Sequence, residues 1–180
     1  TSSKAVAQLH ANAIATVMLT GDNQRTAEAV ASRVGILHIA AGILPKGKVD
    51  EVIALQQDGR KVAMVGDGIN DAPAMAMADV GIAMGSGNDV AMASAEITLM
   101  RPDLSLVPDA IEISKATVRK IRQNLFWAFA YNLVALPLAM FGVLTPVIAG
   151  TAMAMSSVSV VTNALTLRRW RSTQPQIQIL

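Results

Sequence analysis

Residues 124–167 carry no charged side chain, and no other feature limits the possible folds of this chain so strongly. Residues 125–143 form an apolar run of about the length that spans a bilayer. Thr145-Pro146 marks a turn, and residues 146–167 form a second run of similar length. Arg119, Lys120 and Arg122 precede the first run, and Arg168, Arg169 and Arg171 follow the second. Two spans place both basic flanks on one side, and the bias of basic loops toward the cytoplasm makes that side cytoplasmic. Phe126 and Trp127 near one end and Trp170 near the other suit interfacial anchoring. A buried helical pair in a large soluble protein explains long runs with basic flanks less well. The expected order is a soluble region over 1–105, a stalk helix over 106–123, membrane helices over 124–144 and 145–167, and a cytoplasmic tail over 168–180. In the stalk, Ile111, Val118, Ile121 and Leu125 fall near helical spacing, with Lys115, Arg119 and Arg122 among them.

Residues 1–105 have a different texture. Val17-Met18-Leu19 ends at Thr20-Gly21-Asp22-Asn23, and a helical pattern carrying Ala27, Val30, Ala31 and Val34 runs to Gly35. A second helix is expected over 48–57. A strand over 61–65 ends at Gly66-Asp67-Gly68, and a helix follows over 70–78. Further strands are expected over 80–84 and 97–100. This alternation predicts an α/β fold with a parallel sheet, whose chemistry sits beyond the carboxyl ends of the strands. Gly85-Ser86-Gly87-Asn88-Asp89 reads as a capping turn before a short helix. The chain has no cysteine, which excludes an internal disulfide or thiolate metal site. Its net charge of +2 gives no argument for nucleic acid as a partner. His10 and His38 lack metal-ligand spacing and read as surface or loop residues, and Met75, Met77 and Met92 as core. Thr1-Ser2-Ser3-Lys4 leads into a helical pattern, as expected for a segment that continues an upstream domain.

Gly66-Asp67-Gly68-Ile69-Asn70-Asp71-Ala72-Pro73 carries the chemistry. Two carboxylates and an amide lie within five residues of a strand end, on a path the glycines permit. Such hard oxygens suit Mg²⁺, which joins one or two acids to a substrate phosphate. Thr20-Gly21-Asp22 offers a hydroxyl and backbone N–H groups at a helix start, where a phosphate can be held. A helix N-cap is the competing use of the same residues. Lys48 opens a helix and can neutralise charge on a transferring phosphoryl group, or simply lie on the surface.

Taken together, Thr20-Gly21-Asp22, Lys48 and Gly66-Asp67-Gly68-Ile69-Asn70-Asp71 resemble, in order, the phosphotransferase site of the haloacid dehalogenase superfamily. The pattern is most similar to the phosphorylation domain of P-type ATPases. The resemblance implies that Thr20 and Gly21 hold the phosphate, that Lys48 pairs with it, and that Asp67 binds Mg²⁺ while Asn70 and Asp71 complete the site. It also implies ATP as phosphoryl donor to an aspartate in an Asp-Lys-Thr-Gly-Thr segment. This chain contains no such segment, so these residues alone are expected to hydrolyse no ATP.

The polar residues of the apolar runs indicate a cargo. Tyr131, Asn132, Ser156, Ser157 and Asn163 need partners or a function inside a membrane. Met153 and Ser157 are four apart, on one helix face. Pro137 can disturb the first run and free a carbonyl. A thioether favours a soft ion such as Cu(I). Tyr131-Asn132 and Met153-x-x-Ser156-Ser157 resemble the last two spans of the copper-transporting P-type ATPases. The resemblance implies a metal path through Tyr131, Asn132, Met153 and Ser157. Zinc- and cadmium-type members carry an intramembrane Asp and Lys here, and cobalt-type members a His-Glu pair; the runs contain none of these. The implied setting is a plasma (inner) membrane. The implied partners are membrane lipid, upstream domains of the same pump and a copper chaperone. A soluble phosphatase of the same superfamily accounts for Thr20, Lys48 and Asp67 but not the apolar runs. A non-catalytic membrane module accounts for the runs but leaves the phosphate motifs without a use.

Overall fold

The computed structural model describes residues 1–85, 92–143 and 145–170. Residues 86–91, on which most of the expected capping turn and the start of the helix expected after it fall, Leu144 and residues 171–180 lie outside the described residues. The chain divides into two compact units, Thr1–Pro108 and Asp109–Leu180.

The first unit alternates helices and short parallel strands. Its elements are α1 (Ser2–Ala11), β1 (Val17–Leu19), α2 (Gln24–Val34), β2 (His38–Ala40), α3 (Pro45–Gln57), β3 (Ala63–Gly66), α4 (Ala72–Met77), β4 (Val80–Met84) and β5 (Ile97–Leu99). Asn23 caps α2 by accepting from the Thr26 N–H at 3.0 Å, and Gly35 ends it in the left-handed region at φ 85°. Pro45 starts α3, where a missing N–H costs nothing.

The strands are parallel, as expected, and fall into two hydrogen-bonded sets. β1 pairs with β2, Val17 opposite His38, while β3, β4 and β5 form a separate three-stranded sheet with Ala63 opposite Val80. Among the described residues no ladder joins β1 to β3. Side chains join them: Val52 of α3, Met64 of β3, Met75 of α4 and Ala83 of β4 form the core, and Leu19 of β1 packs against it. Met75 is fully buried and Met92 packs at the margin, but Met77 is 46% exposed and is not a core residue. It closes a helix of six residues, two beyond Met75, and so faces away from the same core. His38 lies in a strand, while His10 bonds Thr16 Oγ1 at 2.8 Å on the surface.

The entry to β4 is fixed by charge. The Asp79 carboxylate accepts from Lys61 Nζ at 2.7 Å, the Val62 N–H at 3.0 Å and Gln56 Nε2 at 3.2 Å. The Lys61 hydrogen bond, then the Val62 N–H and Gln56, hold this carboxyl at about 2 against an ordinary 3.8. A depressed folded-state value stabilises above the ordinary value, and that contribution is lost as pH falls from 3.8 to about 2. Asp79→Asn should therefore lower stability at neutral pH and flatten the acid limb across that window. Hydrogen exchange at the β3–β4 amides, followed against pH, checks this; an acid limb identical to wild type would contradict it.

The second unit is built on two helices. α5 (Leu106–Met140) enters it from the preceding residues, and α6 (Pro146–Leu165) is capped by Thr145, whose hydroxyl accepts from the Ile148 N–H. α5 runs unbroken through the position where stalk and span were expected to separate, and through Pro137. Pro137 offers no N–H to the carbonyl of Leu133, and the helix closes one turn later. Half-buried Lys120, Asn124, Ala128, Tyr131 and Ala135 mark one face of α5, and Ala149, Ala152, Ser156, Ser159 and Asn163 mark one face of α6. Small side chains on such faces let helix backbones approach. Polar contacts connect the two faces. Asn163 accepts from Lys120 Nζ and donates to Asn124 Oδ1, both at 2.8 Å, and Tyr131 OH lies 3.4 Å from Ser159 Oγ.

Among the described residues one helix, Pro146–Arg169, is long and apolar enough to cross a membrane, and none of its apolar window is buried. α5 does not reach the same standard. Gln123, Asn124, Tyr131 and Asn132 dilute its apolar part, and it ends at Met140, short of the expected 143.

Candidate functional site

β1 and β3 each end in a polar glycine turn at the carboxyl end of a parallel strand. After β1 the backbone closes onto the β2 side: the Gly42 N–H donates to the Asp22 carbonyl at 2.7 Å, and the Ile43 N–H to the Thr20 carbonyl at 3.1 Å. Because Asn23 supplies the helix cap, Thr20 and Asp22 are left to each other. Thr20 Oγ1 donates to Asp22 Oδ2 and accepts from the Asp22 N–H, both at 3.1 Å. The Thr20 hydroxyl is thus oriented by its own turn, beside Gly21.

After β3 the chain passes Asp67 and makes one 3₁₀ turn, Ile69–Asp71, before α4. Asp71 is buried there, and Lys48 of α3 reaches it, Nζ to Oδ1, at 2.6 Å. Both side chains are about one-seventh exposed, at 14% and 13%. Gly66 makes this approach feasible: a Cβ at that position would lie 2.5 Å from Asp71 Cβ and 3.0 Å from its Oδ2. Lys48 was expected to face a phosphate; in this structure its partner is Asp71. Asp67 and Asn70 are exposed, and among the described residues neither side chain is hydrogen-bonded or ion-paired.

The structure therefore brings together Thr20 with Asp22, and Lys48 with Asp71. It leaves Asp67 and Asn70 open beyond the strand end. Among the described residues no three His, Asp or Glu side chains converge on one point. A divalent ion at Asp67 would need oxygens from elsewhere, and Mg²⁺ commonly takes them from substrate phosphate and water. The exposed Asp67 carboxylate and the Asn70 amide are hard oxygen donors of that kind, so the residues fit Mg²⁺.

The four membrane-helix candidates are not gathered. Tyr131 lies on the α5 face that meets α6 and approaches Ser159, a partner the sequence reading missed. Its signal was the three-residue step from Ser156 to Ser159. Asn132 points off that face and donates to the Ala128 carbonyl at 3.0 Å, and the Ser157 hydroxyl donates to the Met153 carbonyl at 3.1 Å. Met153 is 72% exposed. Asn132, Met153 and Ser157 are thus left to faces that the α5–α6 pair does not use.

The chain is similar to known proteins over almost its whole length. A family model described as haloacid dehalogenase-like hydrolase matches residues 1–79. A copper-exporting P-type ATPase of Staphylococcus aureus (strain JH9) is 58% identical over 167 residues, covering 93% of this chain. The chain spans 21% of that relative's length. Among solved structures, a zinc-transporting PIB-type ATPase in the E2.Pi state superposes with a TM-score of 0.84 at 42% identity, covering 92% of this chain and 27% of that one. The catalytic domain of the CPx-ATPase CopB-B matches with a TM-score of 0.58 at 33% identity, covering 61% of this chain and 44% of that one. The alternating helices and parallel strands and the apolar helix that follows agree with these likenesses, and the chain belongs to the heavy-metal P-type ATPase family.

Proposed function

We propose that this chain is part of an ATP-driven pump that exports Cu(I) across a plasma (inner) membrane through an aspartyl-phosphate intermediate. The nucleophilic aspartate is supplied by a segment that is not in these residues. Thr20 and Gly21 hold the phosphoryl group through the hydroxyl and backbone N–H groups at the end of β1. Lys48, placed by α3 and held by Asp71, supplies positive charge near it. Asp67 and Asn70 hold Mg²⁺, which when bound offsets charge on the transferring group. The soluble unit faces the cytoplasm, because basic residues flank both apolar runs. Membrane lipid, the other domains of the pump and a copper chaperone are its partners.

The observation that carries this reading is the continuity of α5. A single 35-residue helix follows the strand-end constellation and carries Tyr131 and Asn132 in its apolar part. A soluble phosphatase has no use for such a helix, or for α6 with no buried residue. Copper is favoured over zinc by a relative of 58% identity that bears the copper-exporting name. The thioether of Met153 and the lack of any charge within 124–167 support the same choice.

Met153→Ala in the full-length protein tests it. Met153 is largely exposed, so truncation removes little packing and should cost little stability. Loss of a soft ligand should lower Cu(I)-stimulated ATPase activity by on the order of tenfold or more. Phosphorylation by inorganic phosphate, which runs the site backwards, should be retained. Wild-type copper stimulation in this variant would remove Met153 from the metal path.

A further inference from the structure

Away from the site, a groove of about 640 Å³ lies on α5 alone. Its lining includes Lys115, Arg119, Arg122, Gln123, Phe126 and Trp127. At 3.6 residues per turn, Lys115, Arg119, Arg122 and Phe126 fall within an arc of roughly 60°. On the same count Asn124 and Tyr131, which meet α6, lie on the opposite side of the helix. Lys120 bonds Asn163 and so belongs to that other face. The groove is thus a cationic stripe ending in an aromatic floor, where Phe126 and Trp127 pack edge to face with centroids 5.6 Å apart.

Among the described residues, none of Lys115, Arg119 and Arg122 is ion-paired; the ion pairs are those of Lys48, Arg60 and Lys61. Three aligned cations, one turn apart and with no ion-pair partner among the described residues, repel one another and favour an anion. Their position says which anion. With a rise of about 1.5 Å per residue, Arg122, Arg119 and Lys115 stand about 6, 10 and 16 Å beyond Phe126 along the axis. Aromatic side chains such as Phe126 and Trp127 mark the boundary between acyl chains and headgroups. The cations then fall at the depth of lipid phosphates and just above them, with aliphatic stems that can lie along the helix.

We propose that this face of α5 binds an anionic phospholipid, with Arg119 and Arg122 on the headgroup phosphate, Lys115 above it, and the acyl chains against Phe126 and Trp127. The inference rests on the reading of α5 as entering a membrane. It goes beyond that reading by assigning a specific headgroup site to one helix face.

Detergent-purified full-length protein would be titrated with phosphatidylglycerol or phosphatidylcholine of identical acyl chains, and bound lipid counted by native mass spectrometry. Phosphatidylglycerol should bind in preference. Arg119→Gln/Arg122→Gln should weaken its tightest site on the order of thirtyfold while leaving phosphatidylcholine binding unchanged. Arg119→Lys/Arg122→Lys should keep most of the preference, and Arg33→Gln, a cation of the soluble unit, all of it. Equal phosphatidylglycerol affinity in wild type and the glutamine variant would overturn the proposal. So would parallel loss of both lipids, or full competition by free glycerol phosphate. Should the glutamine variant not fold, a wild-type preference undiminished by high salt would overturn it in the same way. A protein that stays soluble without detergent and binds neither lipid would instead contradict the membrane reading itself.

Discussion

Asp67→Asn in the full-length protein is expected to reduce phosphorylation from MgATP on the order of a hundredfold or more, with little change in stability. The magnitude is typical for loss of one preorganised electrostatic group at a reacting centre. The small structural cost follows from the side chain's surroundings: Asp67 is exposed and, among the described residues, bonded to nothing. Asparagine keeps its shape but lacks the anionic oxygen that favours Mg²⁺. Incorporation of radiolabelled phosphate from ATP, beside a thermal-shift measurement, checks both halves. Near-normal phosphoenzyme in this variant would mean that Asp67 is a turn residue.

Gly66→Ala is expected to act in the opposite sense, through structure first. The added Cβ would sit 2.5 Å from Asp71 Cβ and 3.0 Å from Asp71 Cγ, so Asp71 must move. Overpacking of this kind costs about 1–3 kcal/mol. The move also separates Asp71 from Lys48, and stranding one partner of a largely buried ion pair costs about 3–5 kcal/mol. These terms overlap, since relieving the clash is what breaks the pair, and a loss of about 3 kcal/mol is the expected result. Gly68→Ala is the control. Its Cβ would meet only the Asn70 N atom, at 4.0 Å, and the backbone there is extended at φ −130°. Denaturation midpoints of the two variants should differ clearly; equal midpoints would show that Asp71 adapts without losing Lys48.

Both substitutions sit in the stretch that the sequence made easiest to read. The placement of Thr20 and Asp67 at strand ends was legible because turn glycines and polar residues interrupt short apolar strands, and the limits of β1 and β4 follow from the same contrast. β2 was not legible: His38-Ile39-Ala40 is too short to show alternation. Lys61 and Val62 read as strand, yet the Val62 N–H donates to the Asp79 side chain and not to a ladder. Division into two sheets left no trace in any single strand, because which strands pair is decided by the whole unit. In the helices, the identity of Tyr131 and Asn132 was legible but their facing was not. Adjacent helical residues point about 100° apart, so one meets Ser159 while the other turns back to its own backbone. The stalk and the first apolar run differ in charge but contain no helix breaker between them, and α5 accordingly runs through.

The most direct test of the central claim is metal-dependent phosphorylation of the full-length protein from ATP. Purified protein would be given MgATP with Cu(I), with Zn²⁺, or with neither, and the acid-stable, base-labile phosphate on the protein measured. An acyl phosphate that forms with Cu(I), is absent without it and disappears in Asp67→Asn is the predicted result. Phosphoenzyme that forms with Zn²⁺ but not with Cu(I), or none with any metal, would contradict the assignment of this chain to a copper-exporting pump.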